Sequence, residues 1–470
     1  MNDKRRLVLY GLLDWLSALL AWLSFNVVRF YVFRTTTGFA SLKAFLLDDK
    51  ALVLYAVVPF VWLLIYYFSG YYVQPRRKTR EGDLLNTIVT ALIGVLLLFF
   101  AVVVNDYPDS PALYYEALAS FFLIHALLTW LFRLLLTGRL VRRQALGECQ
   151  VPVLVVGTGD KAKTLVDELS KRNANKVYQL VGCVRFKALD GSFPTDLVVG
   201  GMDDLPALIA KWKVEELIMA IDSQDVQDKH NLLNRLYPFR LPVKAAATET
   251  DIVSGYVTLV SLFGIPMVNL TPAFMPYWQQ TLKRVFDKTA ALLCLLLLSP
   301  VFLYLIWRVK RDTLGPVLFK QERIGKNGKP FMIYKFRTMF VDAEKDGPRL
   351  SCKEDPRVTP FGRLMRRYRL DELPQFVNVL KGDMSLVGPR PERQYFVDKI
   401  IEKAPHYYLT QSVLPGITSW GMVKFGYANS VDKMIDRLAY DMLYLENQSL
   451  LIDLKILLFT LKPLFKGKGV

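Results

Sequence analysis

Four long apolar runs constrain this chain more than any other feature: Leu7–Phe33, Ala51–Phe68, Leu84–Val104 and Ala112–Leu136. Each is long enough to cross a bilayer as a helix, which satisfies its own backbone hydrogen bonds in hydrocarbon. The first run follows Lys4-Arg5-Arg6, but it is too long for a signal peptide and no small-residue cleavage site follows it. Cations give the orientation. Lys4-Arg5-Arg6, then Arg76-Arg77-Lys78 with Arg80, then Arg139, Arg142 and Arg143 fall on one side, whereas the loop Asn105–Pro111 carries no cation. The positive-inside rule therefore places the N-terminus and everything after Leu136 in the cytoplasm, although Arg29, Arg34, Lys43 and Lys50 in the first external loop run against it. Asp14 and His125 lie inside apolar runs. Each stands alone in its run and is expected to make a hydrogen bond in the bundle interior.

At Val151 the pattern changes. VPVLVVG is a short β-branched run ending in Gly157-Thr158-Gly159, and LVGCVRF, LVVGGMD, EELIMAID and LPVKAAA recur with helical stretches between them. Such alternation predicts an α/β unit with a parallel sheet. A glycine turn between strand and helix can cradle phosphate, but Ala162 stands at the third glycine position and no acidic residue marks a ribose site. There is no Tyr-x-x-x-Lys pair between Val151 and Leu270 either. The expectation is a structural or regulatory Rossmann-like module.

A linker with Gly264, Pro266, Pro272 and Pro276 leads to a further apolar stretch, Thr289–Trp307, broken by Ser299-Pro300. Lys283, Arg284 and Lys288 precede it, and Arg308, Lys310 and Arg311 follow. A crossing helix would put one cluster outside. A helix broken at Pro300 with both ends at one face satisfies both, so a re-entrant segment is predicted. Two amphipathic stretches, Asp432–Glu446 and Leu450–Leu464, close the chain and suit either a membrane interface or a core.

The formal net charge is +17, and residues 281–470 hold 32 Lys/Arg against 19 Asp/Glu. A basic excess suits nucleic acid, anionic lipid or a phosphorylated substrate. The cations here adjoin bilayer-seeking segments, which argues against nucleic acid. Cys149, Cys183, Cys294 and Cys352 have no metal-ligand spacing and read as reduced. The chemistry concentrates in Arg363–Pro391, where Arg363, Arg366, Arg367 and Arg369 precede the adjacent carboxylates Asp371 and Glu372, with Pro374 and a Gly388-Pro389-Arg390-Pro391 turn beyond. Guanidiniums grip phosphate, and a carboxylate kept ionised among them can be a nucleophile or a metal ligand. The pair is expected at the start of a helix with Pro374 in its first turn, where backbone N–H groups favour phosphate.

KRVFDKTAALLCLLLLSP, FKQERIG, YKFRTM, LDELPQFVNVLKGDMSLVGPRP, LPGIT and YLEN with DLKI, in that order over about Thr281 to Leu464, resemble the bacterial sugar transferases. These are the polyisoprenyl-phosphate hexose-1-phosphate transferases, or monotopic phosphoglycosyl transferases. The upstream half resembles the family's long form. The resemblance implies a membrane protein of mixed α and α/β class. It has a four-helix transmembrane domain at 1–145, a degenerate Rossmann-like domain at 146–270 and a mainly α catalytic domain at 281–470 with a re-entrant helix at 289–307. It implies transfer of a sugar 1-phosphate from a nucleoside diphosphate sugar, usually a UDP-sugar, to undecaprenyl phosphate with release of UMP, starting exopolysaccharide, capsule or O-antigen synthesis. Asp371 matches the nucleophile and Glu372 the carboxylate that, with Asp371, holds Mg²⁺ or Mn²⁺. Arg366 and Arg390 match substrate contacts, joined by Lys335, Arg337 and Arg369, and Ser299-Pro300 matches the membrane break. The implied setting is the bacterial inner membrane with the catalytic domain on the cytoplasmic side, and a homodimer is left open. Ser419-Trp420-Gly421-Met422 departs from the Gly-Trp-Ala-Gln that follows LPGIT in many members, so sugar specificity is not carried over. Two other readings remain: a membrane-bound NAD-dependent sugar-nucleotide dehydratase or epimerase using the Val151 domain, and a non-catalytic polysaccharide-assembly scaffold.

Overall fold

The computed structural model describes residues 3–465 apart from 35–37, 74, 77, 79, 106–109, 149, 172–177, 187–192, 223–225, 247–259, 263–264, 272–274, 313–314, 344, 346 and 348–354. Arg77, Cys149, Cys352, Gly264 and Pro272 thus lie outside the described residues. The chain forms two compact units, Met1–Pro152 with Asp167–Leu180, and Val153–Val166 with Val181–Val470.

In the first unit the apolar runs become helices: α1 (Asp3–Val32), the short α2 (Leu42–Leu46), α3 (Asp49–Phe68), α4 (Arg80–Ala101) and α5 (Ala112–Ala145). All but α2 are long and apolar enough to cross a membrane. Trp22, Phe25, Trp62 and Phe121 interlock at the centre, with Phe25 stacked on Phe121 at 4.4 Å between ring centroids. His125 makes the expected interior hydrogen bond, 2.7 Å from its Nε2 to the Tyr66 hydroxyl. Asp14 does not stand alone. Arg133 Nε donates to its Oδ1 at 2.9 Å and the Tyr72 hydroxyl to its Oδ2 at 2.9 Å, while Arg133 Nη1 donates to Thr87 at 2.8 Å. A buried charge is costly unless paired, and the packing of α1 on α5 supplies the partner from 119 residues away. One arginine among the leucines of the fourth run does not interrupt its hydropathy, so a local reading passes over it.

A seven-stranded sheet follows, drawn mainly from the second unit. Its elements are β1 (Val151–Val156), α6 (Asp160–Lys171), β2 (Tyr178–Arg185), β3 (Val198–Gly201), α7 (Leu205–Trp212), β4 (Glu216–Met219), α8 (Val226–Leu236), β5 (Val243–Ala246), β6 (Val260–Leu262) and β7 (Ile265–Asn269). The strand order is β3-β2-β1-β4-β5-β7-β6. The β2–β3, β1–β4 and β4–β5 pairs are parallel, as the alternation predicts, while β5–β7 and β6–β7 are antiparallel. The expected linker is partly strand, since Pro266 lies in β7 opposite Ser261 of the three-residue β6. Proline lacks the N–H a full ladder needs, and a short neighbouring strand at the sheet edge tolerates the loss.

Next come α9 (Tyr277–Leu297) and α10 (Ser299–Asp312), bent 63° from each other at the predicted break, where the Ser299 hydroxyl donates to the Leu296 carbonyl at 2.7 Å. The helix starts well before the apolar stretch. Its polar first half is anchored: Lys283 Nζ donates to Val387 O at 2.9 Å and to Asp453 Oδ2 at 2.5 Å, and Asp287 accepts from the Ser385 hydroxyl at 2.6 Å. The remainder comprises β8 (Leu318–Ile324) and β9 (Pro330–Phe336) as an antiparallel hairpin, α11 (Pro360–Arg367), α12 (Gln375–Lys381), β10 (Ser385–Val387), α13 (Gln394–Lys403), β11 (Gly416–Thr418), α14 (Trp420–Lys424), α15 (Val431–Glu446) and α16 (Leu450–Phe465). β10 and β11 pair in parallel.

Candidate active site

Three local constructions bring the candidate residues together. In the first, the Thr359 side chain caps α11 by accepting from Gly362 N at 2.9 Å, and Thr359 N donates to Thr338 O at 3.0 Å. A Cβ on Gly362 would run into that Thr338 carbonyl, so glycine lets the helix lie against the strand end that carries Lys335 and Arg337. Arg366 Nε then donates to the Thr338 hydroxyl at 2.9 Å.

In the second, α11 stops where Arg369 takes a left-handed conformation, φ +55°. The chain turns through one 3-10 turn, Leu370–Glu372, in which both carboxylates are buried. The predicted helix start is therefore displaced: Pro374 is the N-cap of α12, and Asp371 and Glu372 precede that seven-residue helix rather than opening it. The left-handed Arg369 separates this turn from α11, and arginine gives no local sign of it. Asn378 of α12 fixes the far side. Its Oδ1 accepts from Tyr334 N at 3.1 Å and its Nδ2 donates to Met332 O at 2.7 Å, locking α12 to β9.

In the third, the two proline-glycine motifs prove to be neighbours. Gly388 N donates to Thr418 O at 3.0 Å and Gly416 N to Pro389 O at 2.9 Å. A Cβ on either glycine would strike the other's backbone or its neighbour's, which explains why GPRP and PGIT each place a glycine at the crossing. Arg390 is delivered from this turn.

Lys335, Arg337, Arg366, Asp371 and Arg390 line one cavity of about 350 Å³. Glu372 sits against it: Lys335 Nζ lies 2.7 Å from its Oε1, Arg390 at 3.5 Å, and Arg369 3.7 Å from Oε2. Ser299 and Pro300 belong to the helix bend and do not line it. The adjacent carboxylates differ in character. Burial opposes charge on Glu372, but Lys335, Arg390 and Arg369 outweigh it and hold its carboxyl well below the usual range. Burial raises Asp371, and the negative Glu372 adds to the rise against the pull of Lys335 and Arg366. Glu372 thus holds the charge, while Asp371 faces the cavity as the more basic group.

A family model described as bacterial sugar transferase matches residues 278–467. Among curated proteins, the UDP-N-acetylgalactosamine-undecaprenyl-phosphate N-acetylgalactosaminephosphotransferase of Aeromonas hydrophila is 34% identical over 291 residues, covering 61% of this chain and 64% of the relative. The UDP-glucose:undecaprenyl-phosphate glucose-1-phosphate transferase of Escherichia coli (strain K12) is 39% identical over 211 residues, 44% of this chain and 45% of the relative. The sugar transferase EpsL of Bacillus subtilis (strain 168) is 41% identical over 189 residues, 40% of this chain and 90% of that shorter protein. The chain belongs to the bacterial sugar transferase family. It spans less than two thirds of the length of the first two relatives.

The transferase cavity has a second wall that the sequence reading missed. Glu392 is buried between Arg323 Nη1 at 3.2 Å and Arg437 Nη2 at 2.7 Å, and all three line the cavity with Arg393 and Tyr427. Burial works against the Glu392 charge, but Arg437, Arg323 and Arg390 prevail and lower its carboxyl. Glu392 directly follows the GPRP turn, a signal present in the sequence. Arg437 and Tyr427 come from the region after LPGIT, where only the fold connects them. The Ser419–Met422 departure lies behind this wall. Ser419 caps α14 by accepting from Met422 N at 3.0 Å, and Met422 Sδ touches Arg437 at 4.0 Å.

Proposed function

We propose that this transferase moves a sugar 1-phosphate from a UDP-sugar to undecaprenyl phosphate, releasing UMP, through a covalent intermediate on Asp371. The observation that carries the reading is the division of labour at the carboxylate pair. Lys335, Arg369 and Arg390 gather around Glu372, leaving Asp371 beside Arg366 on the cavity wall. The activities named for the Aeromonas and Escherichia relatives supply the substrate class.

The steps balance. An Asp371 carboxylate oxygen attacks the phosphorus bonded to the sugar, the bond from that phosphorus to the bridging oxygen breaks, and UMP leaves with the oxygen and the electron pair. Asp371 then carries the sugar phosphate as an acyl phosphate. A phosphate oxygen of undecaprenyl phosphate attacks the same phosphorus, and Asp371 departs as carboxylate. Lys335, Arg337, Arg366, Arg369 and Arg390 bind and orient the diphosphate, whose charge otherwise repels a nucleophilic anion. Among the described residues no group of three or more His, Cys, Asp or Glu converges on a metal site. Asp371 and Glu372 do offer the hard oxygen donors that Mg²⁺ takes one or two at a time with substrate phosphates, and they would hold Mg²⁺ or Mn²⁺ in that way. The ion would counter diphosphate charge.

The surroundings support the rest of the reading. The 3-2-1-4-5 strand order matches a doubly wound, Rossmann-like sheet. Its helix α6 does not start on an open site, because Lys161 N at that N-terminus donates to Asp222 Oδ1 at 2.9 Å. A carboxylate of the chain thus stands where a dinucleotide pyrophosphate would bind, which favours a structural or regulatory module over a dehydratase. The 63° bend between α9 and α10, with cations at both ends, supports a re-entrant segment in the inner membrane and a cytoplasmic catalytic domain.

The test uses the full-length protein with UDP-sugar labelled in the sugar and no lipid. Mass spectrometry after digestion is expected to place the label on Asp371. Asp371→Asn should lower UMP release by several orders of magnitude. Label on another residue moves the nucleophile, and absence of any adduct with sequential kinetics overturns the covalent mechanism.

A further inference from the structure

Tyr427 belongs to none of the motifs that mark the family region. It sits in the turn between α14 and α15, directly after Gly426 at φ +91°. Tyr427 lines the cavity and is 39% exposed. The guanidinium carbon of Arg369 lies 5.2 Å from the ring centroid, and that of Arg390 lies 5.2 Å from it too. These are the two arginines that reach Glu372 at 3.7 and 3.5 Å. One ring and one carboxylate therefore hold the same pair of cations.

The charge balance shows what the ring adds. Glu372 brings one negative charge and already has Lys335 at 2.7 Å. Glu392 also attracts Arg390, but Arg323 and Arg437 already hold that carboxylate, so positive charge stays in excess around Glu372 and the arginines repel each other. A second carboxylate in place of Tyr427 would quench that excess and occupy the guanidinium N–H groups. An aromatic face attracts guanidiniums through its quadrupole, takes none of their in-plane donors and leaves their charge intact. The Arg369 backbone is also fixed, in the left-handed conformation that ends α11. Between that backbone and the ring its side chain has little freedom to swing away.

We propose that Tyr427 is the positioning residue of the donor site: its ring holds Arg369 and Arg390 convergent, with their charge and N–H donors available to the diphosphate of a nucleoside diphosphate sugar. This rests on the transferase reading for its ligand, and the test separates the two. Full-length protein is compared with Tyr427→Phe, which keeps the ring, and Tyr427→Leu, which removes it. UDP binding is read by calorimetry, and donor KM and kcat by UMP release with undecaprenyl phosphate. For Tyr427→Leu, UDP binding should weaken about tenfold and donor KM rise by a similar factor, with kcat within about threefold of wild type. Tyr427→Phe should restore both to within about threefold. Should Tyr427→Leu fail to give monodisperse protein, Tyr427→Met takes its place. The proposal is overturned if the ring-less variant binds UDP like wild type, if Tyr427→Phe is as impaired as Tyr427→Leu, or if kcat falls with KM and UDP affinity intact. Wild type that binds UDP but releases no UMP from any UDP-sugar refutes the transferase reading and leaves the Tyr427 comparison readable. Wild type that binds no UDP overturns both.

Discussion

Asp371 and Glu372 are adjacent in sequence and opposite in protonation behaviour. In the sequence both read as carboxylates kept ionised by arginines. The structure gives that description to Glu372 alone: both carboxyls are buried, but Lys335, Arg369 and Arg390 all reach Glu372, whose charge then adds to the burial that raises Asp371. The sign of the pH dependence follows. A nucleophile must be ionised, and Asp371 releases its proton above the ordinary aspartate range, so the acid limb of kcat/KM should lie above that range, with activity lost as pH falls through it. Arg366 is one of the charges that lower Asp371. Arg366→Gln should move the limb to higher pH, besides raising donor KM. A limb that stays in place or moves down would show that another group controls it. Which carboxylate keeps its proton was not legible from the motif, since it depends on a lysine on β9 and an arginine after β10.

The elements show more plainly what sequence order can carry. The family motifs lie on the chain in the order the fold uses them, and the four apolar runs, the helix break and the parallel strands were all readable from local pattern. The clamps between elements were not. Asn378 reads as one polar residue in QFVNVLK, yet it is fully buried and holds two backbone groups of β9. Gly362, Gly388 and Gly416 owe their identity to carbonyls and amides brought in from distant segments. Arg133 and Asp14 likewise meet only once α1 packs on α5. Removing the Asn378 clamp leaves Tyr334 N–H and Met332 C=O without that partner. Met332 is exposed and Tyr334 half-buried, so water takes over part of both bonds; at about 0.5–1.5 kcal/mol net for each, Asn378→Ala should cost roughly 1–3 kcal/mol. Denaturant unfolding in detergent checks this, with donor KM expected to rise as Lys335 on β9 loses its alignment. A loss below about 0.5 kcal/mol would mean that β9 is held by its hairpin with β8 alone.

At the scale of the whole molecule the question is which face of the membrane each part occupies. The loop before α5 and the transferase region should lie on opposite sides if the four long helices cross and the bent pair does not. α9 has 21 residues, about 31 Å at 1.5 Å per residue, so length alone would let it span. Composition argues otherwise: its first half carries Lys283, Arg284 and Lys288, and Lys283 and Asp287 are tied to the strand and helix that carry Val387, Ser385 and Asp453. Pulling that half into hydrocarbon would strand those charges and break the ties. The apolar remainder turns by 63° at Ser299 and ends in Arg308, Lys310 and Arg311, cations that favour return to the starting face. In a background without the native cysteines, Ser110→Cys should react with a membrane-impermeant maleimide on intact cells. Glu402→Cys, exposed on α13, should react only after permeabilisation. Glu402→Cys labelled as readily as Ser110→Cys on intact cells would mean that α9 and α10 cross together as a fifth span, and the cytoplasmic assignment of the transferase region would fall with it.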